Sequence, residues 1–115
     1  MRRILNTDHK NYAKKSLGQN FIHSKYFLQK LSDLILTDNN TDIIEIGPGK
    51  GALTEFLLKK EFATFYMIEK DNKLYHLLKD KYKCEENIKI FNIDALEFNY
   101  KKISGEKSSI SCLVK

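Results

Sequence analysis

One proline, no tryptophan and two cysteines in 115 residues exclude several classes of protein at once. Cys84 and Cys112 stand 28 residues apart without a CxxC partner, so neither a disulfide scaffold nor a thiolate zinc site is expected. His9, His23 and His76 show no metal-ligand spacing, and no metal is expected. No apolar run is long enough to span a bilayer, and the start, Met-Arg-Arg-Ile-Leu-Asn-Thr-Asp, lacks the apolar core of a secretory signal. These absences imply a cytoplasmic protein with two ordinary thiols and no membrane association. Internal repeats and low-complexity tracts are also missing.

Glycine is scarce as well, five in all, yet three of the five stand at 47, 49 and 51. They follow the apolar run Ile43-Ile44-Glu45-Ile46 and precede a helical pattern beginning at Ala52. Without Cβ atoms the chain there can turn sharply, take positive φ and let a ligand lie against its main chain. The unpaired amides at the start of the next helix would then face that ligand.

Charge is distributed unevenly. Through residue 30 there are seven basic residues (Arg2, Arg3, Lys10, Lys14, Lys15, Lys25 and Lys30) against Asp8 alone. That segment carries +6 of a total of +5, leaving the rest at −1. A basic arm of residues 1–22 beside a neutral body over 23–115 suits contact with a phosphate backbone, and a solvated tail is the plainer alternative.

From Ser24, a plausible N-cap, Phe27, Leu28, Leu31, Leu34 and Ile35 fall at helical spacing until Asp38-Asn39-Asn40 stops the pattern. The order beyond it is strand 43–46, helix 52–60, strand 63–68, helix 72–83, strand 88–93 and a fourth strand over 110–114. Strands alternating with helices across short joints predict an α/β fold, a Rossmann-like parallel sheet with right-handed crossovers and flanking helices. The sequence stops at Lys115, directly after the fourth strand, where such a unit ordinarily continues, so the expectation is one half of a larger domain.

In an open parallel sheet, ligands gather beyond the carboxyl ends of the strands. The residues there are Gly47 to Gly51, then Glu69, then Asp94. An acid about 20 residues past the glycine loop is placed to accept hydrogen bonds from both ribose hydroxyls, and Glu69 is that acid. Gly47-x-Gly49-x-x-Ala52 also satisfies the dinucleotide fingerprint, which keeps a nicotinamide-dependent oxidoreductase open as an alternative. Glu45 argues against it, because a carboxylate on the strand leading to the loop would repel a pyrophosphate if it faced the pocket. S-adenosylmethionine, which bears a sulfonium and an ammonium and no phosphate, suits Glu45, Gly47, Gly49, Glu69 and Asp94 better. Asp94 can accept from the exocyclic amine of adenine, although a strand-end Asp is often a turn cap.

In order and spacing, Lys14-Lys15-Ser16-Leu17-Gly18-Gln19-Asn20-Phe21-Ile22, Glu45-Ile46-Gly47-Pro48-Gly49-Lys50-Gly51-Ala52-Leu53-Thr54, Ile68-Glu69-Lys70-Asp71 and Asn92-Ile93-Asp94-Ala95-Leu96 resemble one family. It is that of the small-subunit ribosomal RNA adenine N6-dimethyltransferases. The resemblance covers residues 14–115, and the Gly-Gln-Asn-Phe element is its most specific part. It implies the methyltransferase version of the Rossmann-like fold, with S-adenosylmethionine held by Asn20, Ile22, Gly47, Glu69 and Asp94. The substrate it implies is small-subunit rRNA in the assembling ribosomal subunit, and from the charge distribution Arg2, Arg3, Lys10, Lys14 and Lys15 are the candidate RNA contacts. It further implies dimethylation of two adjacent adenines near the 3′ end by an Asn-Leu-Pro-Tyr type loop after the fourth strand. This sequence contains no such loop, whose expected place lies beyond Lys115, so no catalytic residue is assigned and the chain is expected to be inactive alone. A non-catalytic RNA-binding assembly module is the remaining alternative.

Overall fold

The computed structural model describes residues 24–103 and the backbone of residues 109–114. The elements are helix α1 (Lys25–Asp33), strand β1 (Thr41–Ile46), helix α2 (Ala52–Leu57), strand β2 (Thr64–Ile68), helix α3 (Asn72–Lys81), strand β3 (Ile88–Phe91), a single 3₁₀ turn (Tyr100–Lys102) and strand β4 (Ser109–Val114). The basic arm, and with it Asn20, Ile22, Arg2, Arg3, Lys10, Lys14 and Lys15, lies outside the described residues. So does Lys115, the position after which the resemblance puts the catalytic loop.

All three strand pairings are parallel, in the order β3-β2-β1-β4. The chain runs outward from β1 to β2 and β3, then crosses back to place β4 on the far side of β1. Strand order therefore reverses at β1, and the crevice beyond the carboxyl ends of β1 and β4 is where an open α/β sheet takes its ligand. The register aligns those ends: Ile46 lies opposite Ile68 on one side and Val114 on the other, and Ile68 lies opposite Phe91. The residues that follow, Gly47, Glu69 and Asn92, thus share one rim.

Side chains alternate across the sheet with period two. Ile43 from β1 and Phe65 and Met67 from β2 face the helices, where they pack with Leu28 of α1, Leu53 and Leu57 of α2 and Leu78 of α3; Ile88 and Ile90 of β3 border this cluster. The opposite face carries Ile44 and Ile68, covered by Ile103 and by Ile93, Ala95, Phe98 and Tyr100 of the β3–β4 connection. Aromatic rings continue across that face from Tyr66 to Phe91 to Phe98 to Tyr100, with centroids 6.4, 5.0 and 4.9 Å apart. The Tyr100 hydroxyl fastens the connection by donating to the Ala95 carbonyl at 2.7 Å. Among the described residues no helix is long and apolar enough to cross a membrane.

Local chemistry sets the element ends. Ser24 caps α1 by accepting from the Phe27 amide at 3.3 Å, and Asp71 caps α3 by accepting from Leu74 at 2.9 Å. Asp38 shapes the turn into β1, taking the Asn40 amide and the Thr41 hydroxyl, both at 2.9 Å. Several boundaries differ from the sequence expectation. Helix α1 ends at Asp33, which leaves Leu34 as its C-cap and 77% exposed instead of on the buried face, while Ser32 is buried. Helix α2 stops at Leu57 instead of 60, because Lys59 and Lys60 bond back three residues to Phe56 and Leu57 and tighten the last turn. Strand β3 stops at Phe91 instead of 93 and α3 at Lys81 instead of 83, whereas β1 begins at Thr41, two residues early.

Phe65 of β2, wholly buried between the sheet and the helices, is expected on truncation to Ala to lose about 3–5 kcal/mol of unfolding free energy. Leu36→Ala, at a position 86% exposed, should stay within about 0.5 kcal/mol of the parent. Urea unfolding followed by circular dichroism distinguishes the two.

Candidate functional site

The loop between β1 and α2 begins as an extension of the sheet, with the Gly47 amide donating to the Ile68 carbonyl at 2.9 Å. A turn follows in which the Gly51 amide donates to Pro48 at 2.9 Å. Gly49 and Gly51 have φ of +63° and +88°, a region that costs an L side chain roughly 1–2 kcal/mol. The two differ in surroundings. A Cβ at Gly51 would meet Thr54 and the Tyr82 hydroxyl oxygen at 3.7 Å, an ordinary contact, whereas a Cβ at Gly49 would meet nothing within 4 Å. The main chain at Gly49 therefore borders open space, which is the geometry a ligand lying on the loop requires.

Glu69, the first residue past β2, is 6% exposed. Its Oε1 accepts the Gly49 amide at 3.0 Å and its Oε2 accepts the Asp71 amide at 2.9 Å. One carboxylate thus ties the glycine loop to the β2 rim and to the start of α3. Each oxygen retains a further lone-pair direction, so the group can still accept from a ligand. Its own amide is held by the Phe91 carbonyl at 2.9 Å.

Glu45 is wholly buried on the helix-facing side of β1 and accepts the hydroxyl of Thr54, itself wholly buried in the first turn of α2. Its carboxyl group packs beneath the glycine loop against α2 and does not line the open space over Gly49. Tyr82, half-buried beside Gly51, has a hydroxyl pushed above its ordinary acidity range, chiefly because burial penalises the phenolate.

Asp94 occupies the same end of the sheet in a turn. Its Oδ1 accepts the Leu96 amide at 2.9 Å, and its Oδ2 lies 3.4 Å from the Lys70 ammonium. The cap role open to a strand-end Asp is therefore present; with its side chain 34% exposed, the carboxylate also remains accessible to a ligand. The Leu96 amide bond, and after it the Lys70 contact, hold its carboxyl below the ordinary range.

Sequence reasoning brings together Gly47, Gly49 and Glu69, and the structure joins the last two by a direct hydrogen bond. Two residues escape it. Thr54 is nine positions from Glu45, a pairing visible only once helix and strand are packed. Asn92 reaches back to the carbonyls of Glu69 and Lys70 at 3.0 and 3.1 Å, a clamp signalled in sequence only by a carboxamide standing at a strand end. Among the described residues no group of three or more His, Cys, Asp and Glu side chains could hold a metal ion.

A family model for ribosomal RNA adenine dimethylase matches residues 10–112. The chain belongs to the ribosomal RNA adenine dimethylase family. It is 46% identical over 99 residues to ribosomal RNA small subunit methyltransferase A of Pelagibacter ubique, covering 85% of this chain and 36% of that protein. The protein of the same name from Coxiella burnetii is 37% identical over 94 residues, covering 82% and 36%. The chain thus spans about a third of the length of these dimethylase relatives. Among solved structures, a dimethyladenosine transferase from Plasmodium falciparum superimposes with a TM-score of 0.62 at 19% identity, covering 80% of this chain and 32% of that one. The 23S rRNA methyltransferase ErmE superimposes with a TM-score of 0.59 at 24% identity, covering 66% and 31%. Both share the Rossmann-like methyltransferase fold. Membership of the dimethylase family sets aside the nicotinamide-dependent alternative.

Because the folded acidity constant of Asp94 lies below its ordinary value of 3.8, ionised Asp94 adds stability above that pH. The contribution is lost as pH falls through the lower, folded value. Carboxyl NMR titration should place the Asp94 midpoint below 3.8, and Asp94→Asn should remove that component of the acid dependence.

Proposed function

We propose that this chain forms the donor-binding part of an S-adenosylmethionine-dependent enzyme that dimethylates the N6 atoms of two adjacent adenines near the 3′ end of small-subunit rRNA during ribosome assembly. Membership of the dimethylase family supports the reaction class. The observation that carries the site is the buried Glu69 carboxylate bonded to the Gly49 amide, with open space over Gly49. These residues fit the donor: a bared backbone for its sugar and methionine portion and an acceptor pair for a ribose.

When bound, S-adenosylmethionine supplies a methyl group already activated on a sulfonium, so the accepting nitrogen needs alignment more than acid–base help. Glu69 accepts from the ribose hydroxyls through the lone pairs that Gly49 and Asp71 leave available. Gly47 and Gly49 keep side chains out of the sugar's path. Asp94 accepts from the adenine amine, its orientation fixed by the Leu96 amide. Glu45, held by the Thr54 hydroxyl, braces the loop from beneath. Asn20 and Ile22, by family resemblance, close the other side of the donor, and Arg2, Arg3, Lys10, Lys14 and Lys15 meet RNA phosphates.

Isothermal titration is expected to give saturable binding of S-adenosylhomocysteine and no heat with NAD. Glu69→Ala should weaken that binding at least about tenfold, as loss of a charged acceptor pair implies. Binding of NAD alone would overturn the donor assignment, and an unchanged affinity in Glu69→Ala would favour a non-catalytic RNA-binding module. Gly49→Ala should cost about 1–2 kcal/mol of stability from its backbone alone and should also reduce donor affinity, read by thermal shift with and without S-adenosylhomocysteine.

A further inference from the structure

At the end of β2 the ladder runs out of partners. The Glu69 amide takes the last rung, from the Phe91 carbonyl, and β3 stops at Phe91 while the chain turns toward Asp94. The carbonyls of Glu69 and Lys70 would then have no strand opposite them. Asn92 fills that place: its carboxamide nitrogen donates to Glu69 at 3.0 Å and to Lys70 at 3.1 Å, so a side chain supplies the rung that the backbone does not.

Asn92 is itself exposed, so apolar packing does not explain why its side chain is ordered across the rim. The two carbonyls it holds belong to residues that present the site's acids. Glu69 carries the carboxylate bonded to Gly49 and Asp71, and the Lys70 ammonium reaches Asp94. With its main chain fixed by Asn92 and its carboxylate fixed by two amides, Glu69 has one orientation before any ligand arrives. Such preorganisation lowers the ordering cost of binding and sharpens discrimination by the held group.

We infer that Asn92 is a positioning residue that acts through Glu69 to set the site's preference for a ribose with free 2′ and 3′ hydroxyls. The inference rests on the donor-binding reading above. Asn92→Leu removes both donors at similar volume, and Asn92→Asp keeps the shape while turning the donor into an acceptor against two carbonyls. Using both separates lost positioning from added charge, and either suffices should the other fail to fold.

The test is isothermal titration of the 115-residue chain and each variant with S-adenosylhomocysteine and with its 2′,3′-dideoxy analogue. The parent should prefer the hydroxylated ligand by at least about tenfold, a floor that even one hydrogen bond to a charged group supplies. In both variants that preference should shrink to about threefold or less, while affinity for the dideoxy analogue stays near the parent value. A purely structural role for Asn92 would weaken both ligands together and leave the ratio unchanged, which would overturn the inference. A parent that binds both ligands equally would overturn it as well, by removing the ribose role of Glu69. A parent that binds neither would instead contradict the donor-binding reading on which it rests.

Discussion

A buried carboxylate between two backbone amides organises the rim of this sheet. Removing the Glu69 charge from water is costly, and it is tolerated because the amides of Gly49 and Asp71 meet one oxygen each at hydrogen-bond distance. The pair of bonds has a geometric consequence. It requires the glycine loop, the end of β2 and the entry to α3 to meet at one point, so three separately encoded features are locked into one arrangement.

The rest of the fold makes that meeting possible. Parallel pairing in register brings the ends of β1, β2 and β3 to one row, and β4 joins β1 from the other side so that strand order reverses beside the loop. The two sheet faces are covered unequally. Helices α1, α2 and α3 close one face, while the other is sheltered by the aromatic β3–β4 connection, whose first turn is the one Asp94 caps. Packing that draws Phe98 and Tyr100 onto the sheet therefore also fixes where the second acid of the rim stands. On the helix side, the Glu45–Thr54 bond joins the end of β1 to the first turn of α2 and so braces the loop from beneath.

Much of this is legible in the residues. The alternation of short apolar runs with helical spacing gives the parallel sheet, the three glycines mark the loop, and the distance from Gly49 to Glu69 marks the acid. Boundaries are less legible, because partners decide them. The apolar pattern of Ile88, Ile90 and Ile93 continues past Phe91, but the ladder to β2 ends with the Glu69 amide on the Phe91 carbonyl, so Asn92 leaves the strand and bonds with its side chain. Leu34 satisfies helical spacing, yet the helix has already ended one residue earlier, and the side chain faces solvent. Thr54 gives no local sign of its role, since that role exists only when α2 packs on β1. The lead-in that contains Asn20 and Ile22 rests on family resemblance alone and lies outside the described residues. The catalytic loop that the resemblance puts beyond Lys115 rests on the same ground.

The most direct test of the central claim is amide-resolved NMR of the chain during titration with S-adenosylhomocysteine. The account predicts saturable shifts at Gly49, Glu69 and Asp71, with the Gly49 amide among the largest because it borders the open side of the loop. Absence of any shift at saturating ligand, or shifts confined to residues away from the carboxyl ends of the strands, would contradict it.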